Sequence, residues 1–473
     1  MDALLLTAGL TLPWLLGIGV VLLLRAPVPA ADAEGEAAWI AGAGYLAGAF
    51  LATVWMRLLS AAGVRFGLAV VALPLAIAAA VLLALAWRRH RASLRAAARG
   101  AVAPPAGLPR AARILWWAVL AWLALRFALL GVEVASRPLY PWDAWTQWAT
   151  KARVWYELGY LAPFARVNEW LAASGAVWFD ASPEYPPTMP LLQVYACLWL
   201  GRWDDALMNW PWWQVGVALP LVVYGGLRAL RATALAALAG AALVASLPLA
   251  NVHVALAGYA DLPMAAFYTA AALAVLRWAA TRDRRDAALA LLFAAACTQI
   301  KNPGWFWAAT LAPAVLVTLS PRRGLKLAGI GFAAVAVLLV VLARFPFTLF
   351  NYRIDATFAA PWGDLAQSFF LLGNWHLLWY AAVAVALFAW RQLLAPGLAA
   401  LTLTVAAGLT FLFFVFAYTT ASAYVSDQTT VNRAALHLAP LVVVFVVLGW
   451  QAFARRWDEA HPPAPPAASP STP

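Results

Sequence analysis

Two adjacent stretches decide how this chain is read: ILWWAVLAWLALRFALLGV at 114–132 and RPLYPWDAWTQWATKARVWY at 137–156. The first is apolar apart from Arg126 and about the length a helix needs to cross a bilayer. The second is polar and studded with tryptophan. It opens a long connection that carries Glu133, Asp143, Glu157, Glu169, Asp180 and Glu184 before the next apolar run begins near 188. Connections longer than about 12–15 residues are usually functional or disordered, and this one is too aromatic for disorder. Chemistry, if the chain performs any, is expected to start in this loop.

The same apolar pattern recurs along the whole chain. Of 473 residues, 65% are hydrophobic and only 11% charged, against about 25% charged in a soluble domain; mean hydropathy is +0.79. Apolar segments lie at 3–24, 37–59, 66–87, 114–132, 188–202, 207–226, 233–250, 262–279, 287–300, 304–319, 327–343, 377–393, 397–418 and 434–453. The fold class expected is all-α, a polytopic transmembrane protein of about 13–14 segments. The run at 3–24 lacks a basic n-region and a cleavage site, so it reads as a retained helix. Cys197 and Cys297 both fall in apolar segments and suggest neither a disulfide nor a metal framework.

A net charge of +12 raises the question of nucleic acid, but its distribution excludes that partner. Arginines gather in short loops at alternating segment ends, as the positive-inside rule requires. The densest group, Arg88, Arg89, Arg91, Arg95, Arg99, Arg110 and Arg113, is placed in the cytoplasm, which puts 133–187 outside. The 27 tryptophans suit anchoring among membrane lipids at the interface. Abundant Ala, Arg and Trp with few Lys points to a GC-rich bacterial genome and hence an inner, cytoplasmic membrane. Counting sides forward from the N-terminus and backward from the C-terminus collides between 188 and 232. The simplest repair is that 188–202, short and containing Pro190, does not cross fully. Three divisions are expected: a three-helix extension with its basic loop (1–113), a main transmembrane domain (114–453) containing the outer loop 133–187, and a disordered Pro/Ser/Ala-rich cytoplasmic tail (454–473). No internal repeat is visible.

Four outward constellations carry candidate chemistry. In the first, Trp142, Trp145, Trp148, Ala152 and Trp155 recur at three- to four-residue spacing, which predicts one face of an interfacial helix, aromatic side down. Lys151 lies off that stripe. Asp143 at its start is either an N-cap or a carboxylate held at the membrane surface as a general base or metal ligand. In the second, Gly258-Tyr259-Ala260-Asp261-Leu262-Pro263, Asp261 is again either a helix start or a second acid on the same face. In the third, Gln299-Ile300-Lys301-Asn302-Pro303-Gly304-Trp305, Asn302 caps a helix whose free amides stand beside the Lys301 ammonium, a phosphate-binding arrangement; Lys301 alone is otherwise a snorkelling lysine. In the fourth, Asp427-to-Pro440, Arg433 and His437 are four apart on one helical face. Arg433 there reads either as a bidentate ligand of a lipid phosphate or as an interfacial anchor. A further outer stretch, 344–376, holds Arg353, Asp355 and Asp364 and is expected to shape a lid.

Together these features resemble the GT-C superfamily of membrane glycosyltransferases, which take sugars from polyprenyl-phosphate carriers and include protein O-mannosyltransferases and lipid A aminoarabinose transferases. The similar elements are the long first outer loop with its early acid Asp143, the Glu184-Tyr185-Pro186-Pro187 sequence opening the next segment, the helix-start acid Asp261 and the late outer Arg433, spread over roughly 114–453. Two departures stand out. Asp143 is followed by Ala144 where protein mannosyltransferases carry an adjacent Asp-Glu pair, and no Trp-Trp-Asp signature is present, so the resemblance names neither sugar nor acceptor.

The resemblance implies an inverting hexosyl- or pentosyltransferase that moves a sugar from a polyprenyl-phosphate donor to an envelope acceptor on the periplasmic face. Asp143 would act as base. Asp261 would orient the acceptor or bind a divalent metal, although metal-independent transfer is the expectation. Lys301, Asn302, Arg433 and His437 would hold the lipid phosphate, and Trp142, Lys151, Glu184 and Tyr185 would meet the acceptor or shape the loop. The alternatives are a transporter or flippase for a lipid-linked or anionic substrate, or a structural subunit. A transporter is expected to place its polar residues at mid-helix, whereas here they gather at helix ends.

Overall fold

The computed structural model describes residues 2–24, 35–100, 103–105, 107–173, 175, 177–342, 345–349, 352–354 and 361–461. Its elements follow the apolar pattern. The N-terminal part holds α1 (Asp2–Leu23), α2 (Glu36–Ala61), α3 (Leu68–Gly100) and α4 (Arg110–Ser136). The loop that follows carries α5 (Ala149–Leu158) and α6 (Val167–Leu171). Then come α7 (Thr188–Leu200), α8 (Trp210–Ala229), α9 (Ala234–Ser246), α10 (Pro248–Ala255), α11 (Asp261–Thr281), α12 (Arg284–Thr298), α13 (Gly304–Ala309), α14 (Ala312–Leu319) and α15 (Gly324–Leu342). A small antiparallel hairpin, β1 (Phe347–Leu349) with β2 (Tyr352–Ile354), precedes α16 (Trp362–Ala366), α17 (Leu378–Phe388), α18 (Trp390–Leu393), α19 (Ala399–Tyr418) and α20 (Thr430–Ala460).

Every expected apolar segment falls on a helix. Among the described residues seven helices are long and apolar enough to cross a membrane: most of α1, α2, α4, α11, α19, α20 and the first 24 residues of α3. An eighth results if α9 and α10, bent by 56° at Leu247, form one span. The expected 13–14 segments therefore count apolar helices, about half of which have the length and hydropathy of a span.

Side-chain contacts fix which helix ends lie together. At one end, called the loop end, Arg57 near the close of α2 donates from Nη1 to Gln299 Oε1 (2.7 Å) and from Nη2 to the Thr188 hydroxyl. Trp212 at the start of α8 donates to the Tyr259 carbonyl (2.6 Å) just before α11. At the opposite, arginine-rich end, Arg455 donates to the Arg231 carbonyl and Arg282 to the Thr318 carbonyl. These contacts settle the collision between 188 and 232. α7 begins at the loop end beside Arg57, and Arg202, just past its far end, pairs with Asp2 (2.7 Å). α1 runs antiparallel to α2, since Pro13 lies against Gly48 and Gly17 against Gly44, so Asp2 is also at the loop end. Both ends of α7 are thus on one side, and α8 runs to Arg228 and Arg231 at the arginine-rich end.

The three N-terminal helices are joined to the rest of the bundle by buried contacts. Glu36 at the start of α2 forms a buried ion pair with Arg277 of α11 (2.8 Å), whose Nε reaches Asp286 of α12 (3.4 Å). The same guanidinium stacks on Trp39 at 4.9 Å from the ring centre. α11 is buried along its length from Asp261 to Arg277. Its alanine-rich sequence lets α2, α8, α12 and α20 approach it closely.

Two further expectations change. The tryptophan face does not form one stripe. Ala144–Trp148 is a π-turn, whose extra residue per turn breaks the 3.6-residue phase, so Trp148 and Trp155 turn into the core while Trp142 and Trp145 stay exposed. Residues 454–460, expected in the tail, belong to α20; 462–473 lie outside the described residues. So do Arg344 and Asp355 of the expected lid.

α1 and α2 cross where glycine is obligatory: a Cβ on Gly48 would run into the Pro13 carbonyl oxygen, and one on Gly17 into the Gly44 carbonyl oxygen. Gly48→Leu is expected to push the helices apart at a cost of roughly 1–3 kcal/mol or more, the usual range for overpacking. Thermal unfolding of the purified protein in detergent should show a lowered midpoint. An unchanged midpoint would mean that the crossing is not tightly packed.

Candidate functional site

The site forms where four distant pieces of chain meet at the loop end. Gly258 sits at φ 112°, a conformation open to glycine at little cost. A Cβ there would meet the Ala144 Cβ at 2.6 Å. This glycine therefore lets the loop's π-turn pack against the turn leading into α11, bringing Asp143 beside Asp261. Lys301 lies in the short turn after α12, and Arg433 and His437 lie one turn apart on the first part of α20.

Asp261 is fully buried and its carboxylate accepts three hydrogen bonds. Oδ1 receives Lys301 Nζ (2.8 Å) and His437 Nε2 (3.0 Å), and Oδ2 receives Arg433 Nε (2.8 Å). Arg433 then reaches outward through Nη1 to Asp143 Oδ2 at 2.6 Å, with its guanidinium 4.2 Å from the centre of the Tyr259 ring, a cation–π distance. Exposure grades across the cluster: the Asp261 side chain is 0% exposed, Arg433 19% and Asp143 25%. His437 donates from Nε2, and its Nδ1 is buried with no hydrogen-bond partner, as suits a neutral imidazole. Its ring packs edge-on against Trp307.

Neither acid is a helix cap. Asp143 and Asp261 make no side-chain bond to the free amides of their helices; their carboxylates are spent on Arg433, Lys301 and His437. The helix-capping half of each sequence reading is therefore excluded by geometry. Burial pulls the Lys301 ammonium below its ordinary range, and the Asp261 charge opposes that pull. Burial likewise raises the Tyr259 phenol, against the lowering effect of Arg433.

Asn302 does not assemble the expected phosphate cradle. The N-cap of α13 is Pro303, with no side-chain cap bond, and the helix is only six residues long. Of the loop residues, Lys151 is buried. It donates to the Ser182 carbonyl (2.6 Å) and pairs with Asp180 at 3.4 Å, so it braces the loop. Burial lowers Lys151 and raises Asp180, each opposed by the charge of the other. Tyr185 stacks on Trp148 with ring centres 5.1 Å apart, and Glu184 pairs with Arg166 at 3.5 Å. Trp142 remains 67% exposed, edge-on to Trp145.

Sequence reasoning missed three participants. Tyr259 supports the Arg433 guanidinium. His253 packs against Tyr259 (ring centres 5.5 Å) with Nδ1 on the Leu249 carbonyl and Nε2 buried without a partner. Arg57 stands beside the Gln299–Lys301 turn. All three lie in apolar surroundings where periodicity gives no signal. Among the described residues no group of three His, Cys, Asp or Glu converges as a metal site. The oxygens of Asp261 already face three nitrogen donors, a set that does not fit a divalent cation. No family model, curated protein or solved structure matches this chain.

Removing the Asp261 charge strands two cations. Asp261→Asn is expected to cost about 3–5 kcal/mol, the usual penalty for breaking a buried ion pair. Asp143→Asn should cost much less, because Arg433 keeps Asp261. The check is a comparison of unfolding midpoints in detergent, and equal midpoints for the two variants would show that Asp261 does not hold the cluster together.

Proposed function

We propose that this chain is a membrane glycosyltransferase of the GT-C type, transferring a sugar from a polyprenyl-phosphate carrier to a cell-envelope acceptor at the outer face of a bacterial inner membrane. The observation that carries this reading is the pairing of two unlike carboxylates through one arginine. Asp261 is buried and accepts three hydrogen bonds, whereas Asp143 is partly exposed and its Oδ1 has no protein partner among the described residues. Asp143 is the carboxylate that can take a proton; Asp261 positions Arg433 and Lys301.

In the proposed reaction the acceptor hydroxyl oxygen attacks the anomeric carbon and its proton passes to Asp143 Oδ1. The bond from the anomeric carbon to the phosphate oxygen breaks, the electron pair stays on the carrier phosphate, and the anomeric centre inverts. Arg433 orients Asp143 through Nη1 at 2.6 Å, and a fixed carboxylate within reach of the hydroxyl is what a general base needs before attack. Trp142 and Trp145, exposed next to Asp143, suit the boundary between lipid headgroups and water. The arginine-rich opposite end suits the cytoplasmic side. The transporter reading has less support, because the cluster lies at the first residues of α11 and α20 and not at their midpoints.

The test is transfer from labelled undecaprenyl-phosphate sugars to envelope acceptors by purified protein. Asp143→Asn should lower the rate by roughly 10²–10⁴, the span a general base supplies, with an unfolding midpoint close to wild type. Undiminished transfer by this variant would remove Asp143 from the chemistry. Uptake of the donor without any product would favour the transporter.

A further inference from the structure

The acid-bearing cluster carries no surplus positive charge. Asp143 and Asp261 face Lys301 and Arg433, two against two, and His437 is disposed as a neutral donor. An incoming phosphate therefore finds its attraction to these cations already offset by the carboxylates they hold. A phosphate-bearing substrate needs another cation close by.

Arg57 is such a cation. It lies near the end of α2, and its two terminal nitrogens bond only to neutral oxygens: Gln299 Oε1 at 2.7 Å and the Thr188 hydroxyl. Gln299 is two residues before Lys301, and Thr188 directly follows the Glu184-Tyr185-Pro186-Pro187 stretch. Among the described residues its Nε–H is buried with no partner, and no carboxylate pairs with it. A guanidinium offers five N–H donors, so three are unused. The carbonyl end of α2 offsets only part of this charge, since a helix terminus presents roughly half an elementary charge. A largely desolvated cation without a counter-ion is costly, and an anion relieves that cost.

We propose that Arg57 binds the phosphate of an anionic lipid, so that the N-terminal helices, through α2, supply the carrier's phosphate ligand beside the Lys301 turn. The assignment rests on the transferase reading for the identity of the lipid, and on the charge balance alone for the phosphate.

The test uses full-length protein in nanodiscs and measures binding of undecaprenyl monophosphate, undecaprenol and inorganic phosphate. Wild type should bind the monophosphate at least tenfold more tightly than the alcohol. Arg57→Met should abolish that preference, and Arg57→Lys should keep part of it. Should Arg57→Met unfold, Arg57→Gln reads the same difference. A preference that survives loss of the Arg57 charge overturns the proposal. Inorganic phosphate binding as tightly as the lipid, with the same dependence on Arg57, overturns the lipid as its source. Arg57-dependent binding in a protein that transfers no sugar leaves this site standing and removes the transferase reading.

Discussion

The buried carboxylate of Asp261 is the constraint on which the loop end depends. A carboxylate taken out of water is tolerated only when its oxygens are hydrogen-bonded and its charge is opposed. Here the donors come from two other pieces of chain: the turn after α12, through Lys301, and the start of α20, through Arg433 and His437. The penalty runs both ways, because Lys301 and Arg433 are themselves largely buried and need an anion. Each group therefore requires the others, and the helices that carry them are held in register. The outer loop joins through Arg433 and Asp143, so the most exposed acid is positioned by the least exposed one.

A second buried ion pair does the same at the other end of α11. Arg277 is held by Glu36 of α2 and Asp286 of α12. Between the two clusters α11 is buried, with Phe267 against Phe50 and Phe293 and Tyr268 against Trp307, which leaves little room for rotation. α11 is thus pinned at both ends and packed in the middle, a rigid element of the kind that positions a site more closely than loops can. The loop that brings Asp143 to it has a firm inner half, built on Lys151, Asp180, Trp148 and Tyr185, and an exposed outer edge at Trp142 and Trp145. Local opening follows low burial, so motion here is expected to concentrate at that outer edge.

Much of the fold was legible in the sequence because hydropathy is a local signal: each apolar stretch from 3–24 to 434–453 coincides with helix. Asp143, Asp261, Lys301, Arg433 and His437 were legible as polar residues at apolar boundaries. Their convergence was not. Asp261 and Arg433 are 172 positions apart, and no local pattern encodes that meeting. The tryptophan stripe failed because a periodicity argument assumes 3.6 residues per turn, which the π-turn at Ala144–Trp148 breaks. The docking of α2 on α11 was not legible for a similar reason. Glu36 meets Arg277 across 241 positions, and the glycines that dock α1 on α2 look like ordinary apolar filler until the helices are seen touching.

The arrangement also bears on what the site can do. Three donors around one carboxylate make Asp261 a poor base, since protonating it would forfeit those bonds, and a poor metal ligand, since its lone pairs are occupied. What remains available among the described residues is the second oxygen of Asp143 and the unused donors of Arg57, which bonds Gln299 two residues before Lys301. In the proposed reaction these two groups would divide the tasks of a group transfer from a lipid phosphate: Asp143 would take the acceptor's proton, and Arg57 would hold the charge that the phosphate keeps. A carrier that only moved an anion would have use for the cation but none for the tethered, solvent-facing Asp143, and it is that carboxylate which tips the reading toward catalysis.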